Sequence, residues 1–113
     1  MSCLFCRLVA GEIPSTRVLE TPEVLAFRDI HPQAPVHVLV VPRVHVASLH
    51  ELTDDRLAGA LLAAAAEVAR QESLEAGWRL IANTREHGGQ EVHHLHLHVL
   101  GGRPLGPMLS KPR

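Results

Sequence analysis

Apolar and polar residues alternate most strictly near the end of the chain, in His94-Leu95-His96-Leu97-His98-Val99-Leu100. Side chains alternate sides along a strand, so this spacing predicts a strand with His94, His96 and His98 on one face and Leu95, Leu97 and Val99 on the other. A helix would scatter both sets. Val18-Leu19-Glu20 and Val24–Ile30 read as a hairpin about Thr21-Pro22-Glu23. His37-Val38-Leu39-Val40-Val41 is apolar on both faces, as a central strand is, and Pro42 ends it. After Gly77, Trp78–Asn83 forms a further strand.

A helical period governs two other stretches. Leu57, Leu61, Leu62, Ala65, Val68 and Ala69 recur as one apolar stripe, with Thr53 as its cap and Asp54 and Asp55 at the positive end of the helix dipole. The alanine run favours helix and lets it lie close to a sheet. From Ser2 to Gly11 the pattern predicts a short helix, Ser2 its N-cap and Gly11 its terminator, with Leu4, Phe5 and Leu8 toward the core. His45–Leu52 reads as irregular or a helical turn. The sum is an α+β domain: an antiparallel sheet of about five strands, one long helix and a short N-terminal one, their apolar faces stacked in a single core. No internal repeat is present, so one domain is expected over residues 1–113, with 103–113 as a proline-rich tail on the surface or against a partner subunit.

Composition narrows the classes. The chain is 46% hydrophobic but only 3% aromatic, without tyrosine, so its core is aliphatic and alanine-rich. A net charge near −1 leaves no basic footprint for nucleic acid or an anionic membrane. Met1–Ala10 has no charged leader before a long apolar run, and the longest apolar tract, Ala58–Ala66, is far too short to span a bilayer. A cytoplasmic setting is expected. There, Cys3 and Cys6 form a metal or thiol pair more readily than a disulfide. Alone, the C-x-x-C is open among a redox pair, half a metal site and two buried cysteines; a thioredoxin-type motif would follow a strand, and none precedes it.

The histidine row carries the chemistry. Neutral imidazoles either bind metal or move protons and attack phosphorus near neutral pH. Three in register after a glycine-rich turn weigh against a merely solvated strand face. In that turn, His87-Gly88-Gly89-Gln90-Glu91-Val92, paired glycines let backbone N–H groups approach an anion, which suggests a phosphate seat beside a nucleophile.

From Gly88 to Gly102 the sequence, G-G-Q-E-V-H-H-L-H-L-H-V-L-G-G, resembles the histidine-triad (HIT) nucleotide-binding proteins, and within them the Hint-like branch. Phe27–Pro42, F-R-D-I-H-P-Q-A-P-V-H-V-L-V-V-P, and Pro42–His45, P-R-V-H, agree with it. The likeness runs over nearly the whole chain. It implies a two-fold homodimer with continuous sheets and attack on the α-phosphate of a nucleotide by the middle triad histidine, His96, through a nucleotidyl-histidine intermediate. His98 and His37 map to neighbours that bond phosphate oxygens and manage the leaving-group proton. Backbone N–H groups around Gln90–Val92, with Gly89, would hold phosphoryl oxygens, and Asn83 would contact phosphate and ribose. Asp29 would accept the ribose hydroxyls, and Phe27, Ile30 and Leu39 would wall the base, although ordinary core packing explains those three equally well. Where the Hint-like pattern has serine, this chain has Glu91. A carboxylate there opposes phosphate unless neutralised and could favour a cationic amine leaving group.

The likeness also extends to the zinc site of bacterial HIT proteins and related uridylyltransferases. It implies Cys3, Cys6, His45 and His94 as a Cys₂His₂ set for structural zinc, with His50 and His93 as substitutes. The leading expectation is a hydrolase of purine nucleoside phosphoramidates or related nucleotide conjugates, with an AMP- or GMP-type product. A dinucleoside polyphosphate hydrolase and a zinc-stabilised nucleotide-binding module with incidental turnover are the alternatives. A metal hydrolase using the triad as ligands is a further one.

Overall fold

All five strands form, and they pair antiparallel in the order β1-β2-β3-β5-β4. They are β1 (Arg17–Glu20), β2 (Val24–Arg28), β3 (Val36–Pro42), β4 (Trp78–Ile81) and β5 (Leu97–Gly101). The protein is described here by a computed structural model covering residues 3–109. Helix α1 is Leu4–Val9, a 3-10 turn spans Leu49–Glu51, and helix α2 is Asp55–Gln71. Among the described residues no helix is long and apolar enough to cross a membrane.

Two apolar clusters flank the sheet, where one core is expected. Helix α2 lays Leu57, Leu61, Ala64, Ala65, Val68 and Ala69 against Val38, Val40, Leu95, Leu97 and Val99. On the opposite face Phe5 and Leu8 of α1 pack on Leu25, Phe27, Leu39 and Val41. This explains the unbroken apolar run of β3. Alternate residues serve alternate clusters because successive side chains leave a strand on opposite sides.

The local departures have simple causes. Asp54, rather than Thr53, caps α2, its carboxylate accepting from the N–H groups of Arg56 and Leu57 at 2.9 and 3.1 Å. Ser2 lies outside the described residues; Cys3 is the N-cap of α1, its sulfur accepting from Cys6 N–H. Leu62 is 56% exposed, because a helix on a flat sheet buries a narrower arc than its apolar stripe. Leu4 is likewise exposed. The predicted ends of three strands shorten: β2 stops at Arg28, β4 stops at Ile81, and β5 begins at Leu97. The ladder to β3 ends at the Val40–Leu97 pair, two residues before Pro42, which has no N–H to donate.

Candidate active site

The alternation of the histidine segment continues past the ladder. Leu95 stays on the α2 side, held by its N–H to the Val46 carbonyl at 2.7 Å, while His94 and His96 stay on the α1 side with His98. Phe5 meets both rings edge-on, with centroids 6.0 Å from His94 and 5.1 Å from His96. The short helix therefore closes the roof over the first two histidines.

Hydrogen-bond partners fix each ring's tautomer. The His96 Nδ1–H donates to the His94 carbonyl at 2.7 Å, which leaves the Nε2 lone pair bare. That carbonyl lies two residues back on the same segment. The Nε2–H of His94 donates to the Pro42 carbonyl at 2.9 Å, so its Nδ1 is the free nitrogen. His37 Nδ1 accepts the Gln33 N–H at 3.1 Å, so its Nε2–H donates to His98 Nδ1 at 2.9 Å. His98 is left with an Nε2–H as its remaining donor. The Asp29 Oδ2 stands 3.5 Å from His37 Nε2. Burial, followed by the neighbouring His96 and His37, lowers the pKa of His98 to about 4. Burial also lowers His37, with the Asp29 carboxylate opposing it, and lowers His94.

His96 and His98 border a cavity of about 380 Å³. Phe5, Leu8, Phe27 and Leu39 supply its apolar wall, and Asp29, Ile30, Glu91 and Val92 also line it. Ile30 is 85% exposed, at the mouth rather than in the wall's depth. Leu4 of α1, expected in the core, and Arg28 at the end of β2 also line it. The loop residues Pro14, Ser15, His31 and Gln33 complete the lining, and no local period marks them because they converge only in space. Arg28 is turned away into a two-pronged ion pair with Glu72, 2.8 and 3.0 Å.

Four expected site residues lie elsewhere. His37 is buried behind His98 and is not part of the cavity wall. Asn83, Gly89 and Gln90 do not line it either. Asn83 donates to the Gly88 carbonyl at 2.8 Å. Gln90 binds three backbone groups, accepting from Arg85 N–H and donating to the carbonyls of Ala47 and Val92. The N–H groups of Gly89 and Gln90 are consumed by the carbonyls of Glu86 and Arg85. The glycine pair thus builds the turn itself. A Cβ on Gly88 would stand 2.4 Å from the Thr84 carbonyl oxygen, and Gly89 has φ +79°. What the turn brings to the cavity is Glu91 and Val92.

On the far side of His94 a second cluster gathers. The donor atoms of Cys3, Cys6, His45 and His94 all lie within 4.8 Å of one another. The His94 Nδ1 is 3.4 Å from Cys3 Sγ and 3.5 Å from Cys6 Sγ, and His45 Nδ1 is 3.3 Å from Cys6 Sγ. Zn–S and Zn–N bonds of about 2.3 and 2.0 Å in a tetrahedron space such pairs by about 3.5 Å, so the set fits zinc. The Pro42 carbonyl, by holding the other ring nitrogen, aims His94 at that centre. His50 and His93 are outside the cluster.

The profile of the HIT domain matches residues 10–105. The chain belongs to the HIT family. It is 46% identical over 110 residues to a purine nucleoside phosphoramidase of Escherichia coli K12, covering 95% of this chain and 92% of that protein. A 14 kDa zinc-binding protein of Zea mays is 46% identical over 107 residues, covering 90% of this chain and 83% of that protein. The crystal structure of a HIT family hydrolase from Legionella pneumophila Philadelphia 1 superposes with a TM-score of 0.90 at 48% identity, covering 93% of this chain and 96% of the other. This HIT protein is an enzyme of the hydrolase type.

Proposed function

We propose that this HIT protein is a purine nucleoside phosphoramidase, with His96 as the nucleophile. The observation that carries the reading is the bare Nε2 of His96 at a cavity whose wall pairs apolar side chains with the Asp29 carboxylate. The base lies against Phe27 and Leu39, with Ile30 at the mouth, and Asp29 accepts the ribose hydroxyls. His96 Nε2 attacks the α-phosphorus as the P–N bond breaks, and the leaving nitrogen takes a proton from water so that it departs as a neutral amine. Water then cleaves the nucleotidyl-histidine, releasing a nucleoside monophosphate and restoring the ring. Among the described residues the N–H groups of Glu91 and Val92 have no hydrogen-bond partner, and with the Nε2–H of His98 they hold the phosphoryl oxygens.

The leaving-group side favours an amine over a polyphosphate. The one arginine that lines the cavity, Arg28, is tied to Glu72, and the lining contributes the Glu91 carboxylate in place of a free guanidinium. A dinucleoside polyphosphate would bring further negative charge with nothing to receive it.

Cys3, Cys6, His45 and His94 hold a structural zinc, which ties α1 to the segment that carries the nucleophile; zinc supplies rigidity there and takes no part in the reaction. The protein works in the cytoplasm as a homodimer, paired along β4, where Trp78 and Leu80 are exposed on an edge strand beside exposed Leu62. It forms one domain over residues 1–113, with the segment from 103 as its tail. The deciding experiment traps the covalent adduct with a slowly hydrolysed adenosine phosphoramidate and locates it by mass. A nucleotidyl group on His96 is expected. Turnover without any adduct, or an adduct on another residue, would overturn the assignment, and binding without turnover would return the protein to the class of nucleotide-holding modules.

A further inference from the structure

Among the described residues, the Oγ of Ser15 is the one side-chain polar atom sealed from solvent with no hydrogen-bond partner. The buried polar side chains His37, Ser48, His94 and His96 all have one. An unsatisfied hydroxyl destabilises the free protein, and such groups persist where something else satisfies them. The adjoining backbone gives little help. Pro14 has no N–H, and the Thr16 carbonyl already accepts from Arg28 N–H at 2.9 Å.

Ser15 lines the same cavity as His96. The apolar wall of Phe5, Leu8, Phe27 and Leu39 can clasp an aromatic ring by its faces, but it cannot tell one ring from another by its edge. A hydroxyl can, because it both donates and accepts. Its oxygen turns on a single bond between staggered positions, and no hydrogen bond in the free protein holds it in one of them.

We propose that Ser15 is a specificity-determining residue whose hydroxyl hydrogen-bonds the polar edge of a purine base held between these apolar walls. The proposal rests on the nucleotide reading above and adds the group that recognises the base. It predicts effects of opposite sign in the free and bound protein. Removing the hydroxyl relieves the free protein of an unpaired group, yet it costs the complex a bond.

The test uses the full chain and its Ser15→Ala variant. Affinities are measured by calorimetry for adenosine 5′-monophosphate and for benzimidazole riboside 5′-monophosphate, which keeps sugar, phosphate and bicyclic shape but lacks the ring nitrogens and amine of the six-membered ring. The wild type should prefer the adenosine ligand by about threefold to tenfold, the worth of one hydrogen bond. In the variant that preference should fall below about twofold, while the melting temperature of the ligand-free protein stays level or rises by a few degrees. An undiminished preference in Ser15→Ala would overturn the proposal, as would a lowered melting temperature, the mark of a structural hydroxyl. Failure of the wild type to bind either ligand would instead remove the nucleotide reading beneath it.

Discussion

His94 and His96 stand two residues apart, on the same side of the same segment, and yet they present opposite nitrogens. His94 gives its Nε2–H to Pro42 and turns Nδ1 toward two sulfurs; His96 gives its Nδ1–H to His94 and keeps Nε2 for the cavity. One residue type thus supplies a metal-ligand geometry on one flank and a nucleophile geometry on the other. What separates them is which backbone carbonyl each ring meets, since a neutral imidazole that donates from one nitrogen must offer a lone pair at the other. The carbonyl that orients His96 belongs to His94, so the Cys/His cluster and the cavity are linked through one hydrogen bond without sharing a role.

The sharpest way to break this division is to remove one ring at a time. His96→Ala should lower kcat for an adenosine phosphoramidate by at least about 10⁴-fold while nucleoside monophosphate affinity and zinc content hold. A variant that still turned over would dissolve the distinction between the two flanks. Cys6→Ser acts on the other flank. Bound zinc, measured by elemental analysis, should fall from one per chain to near none, and the melting temperature should drop by about 10 °C or more. Full metal content in that variant would dismiss the cluster as a zinc site.

Acid probes His98 and the His37 ring behind it. An ordinary histidine titrates near 6.5, and His98 is held to about 4 in the fold. Between those values the unfolded chain takes up a proton that the folded chain refuses, so stability is intact above about pH 6.5 and declines as the pH falls toward 4. His37, also lowered, adds to the decline in the same direction. Urea unfolding across that range should lose a few kcal/mol; a flat profile would contradict the burial of this pair. The smallest effect concerns Glu91. Glu91→Ser should shift the ratio of rates for amine-leaving and phosphate-leaving substrates severalfold toward phosphate, by removing a negative charge from the cavity lining. An unchanged ratio takes Glu91 out of leaving-group selection.

The histidine alternation and the α2 stripe were legible because each is a local period that a strand or helix converts directly into a face. Leu62 was misplaced for the same reason: periodicity names a face but not how wide an arc the neighbour covers. The cap of α2 slipped by one residue because Thr53 and Asp54 are both good caps, and only the chain's entry angle chooses between them. Glycines 88 and 89 suggested a phosphate seat. In the fold they instead let the turn pass close against Thr84, with Asn83 and Gln90 bonded to backbone around it, while Glu91 and Val92 reach the cavity.

By itself the sequence determined the elements, the order in which residues alternate between the sheet's two faces, and the resemblance that names the reaction class. These follow from short-range geometry and from residue identity. Only the tertiary structure decided that the sheet has two apolar clusters, that His37 stands behind His98, and which nitrogen of each ring is free. The His96 ring meets a carbonyl two residues back. The tautomers of His94 and His98 and the cavity wall, however, depend on partners tens of residues away, Pro42 for His94 and His37 for His98, and no local pattern encodes where a distant carbonyl or ring will arrive.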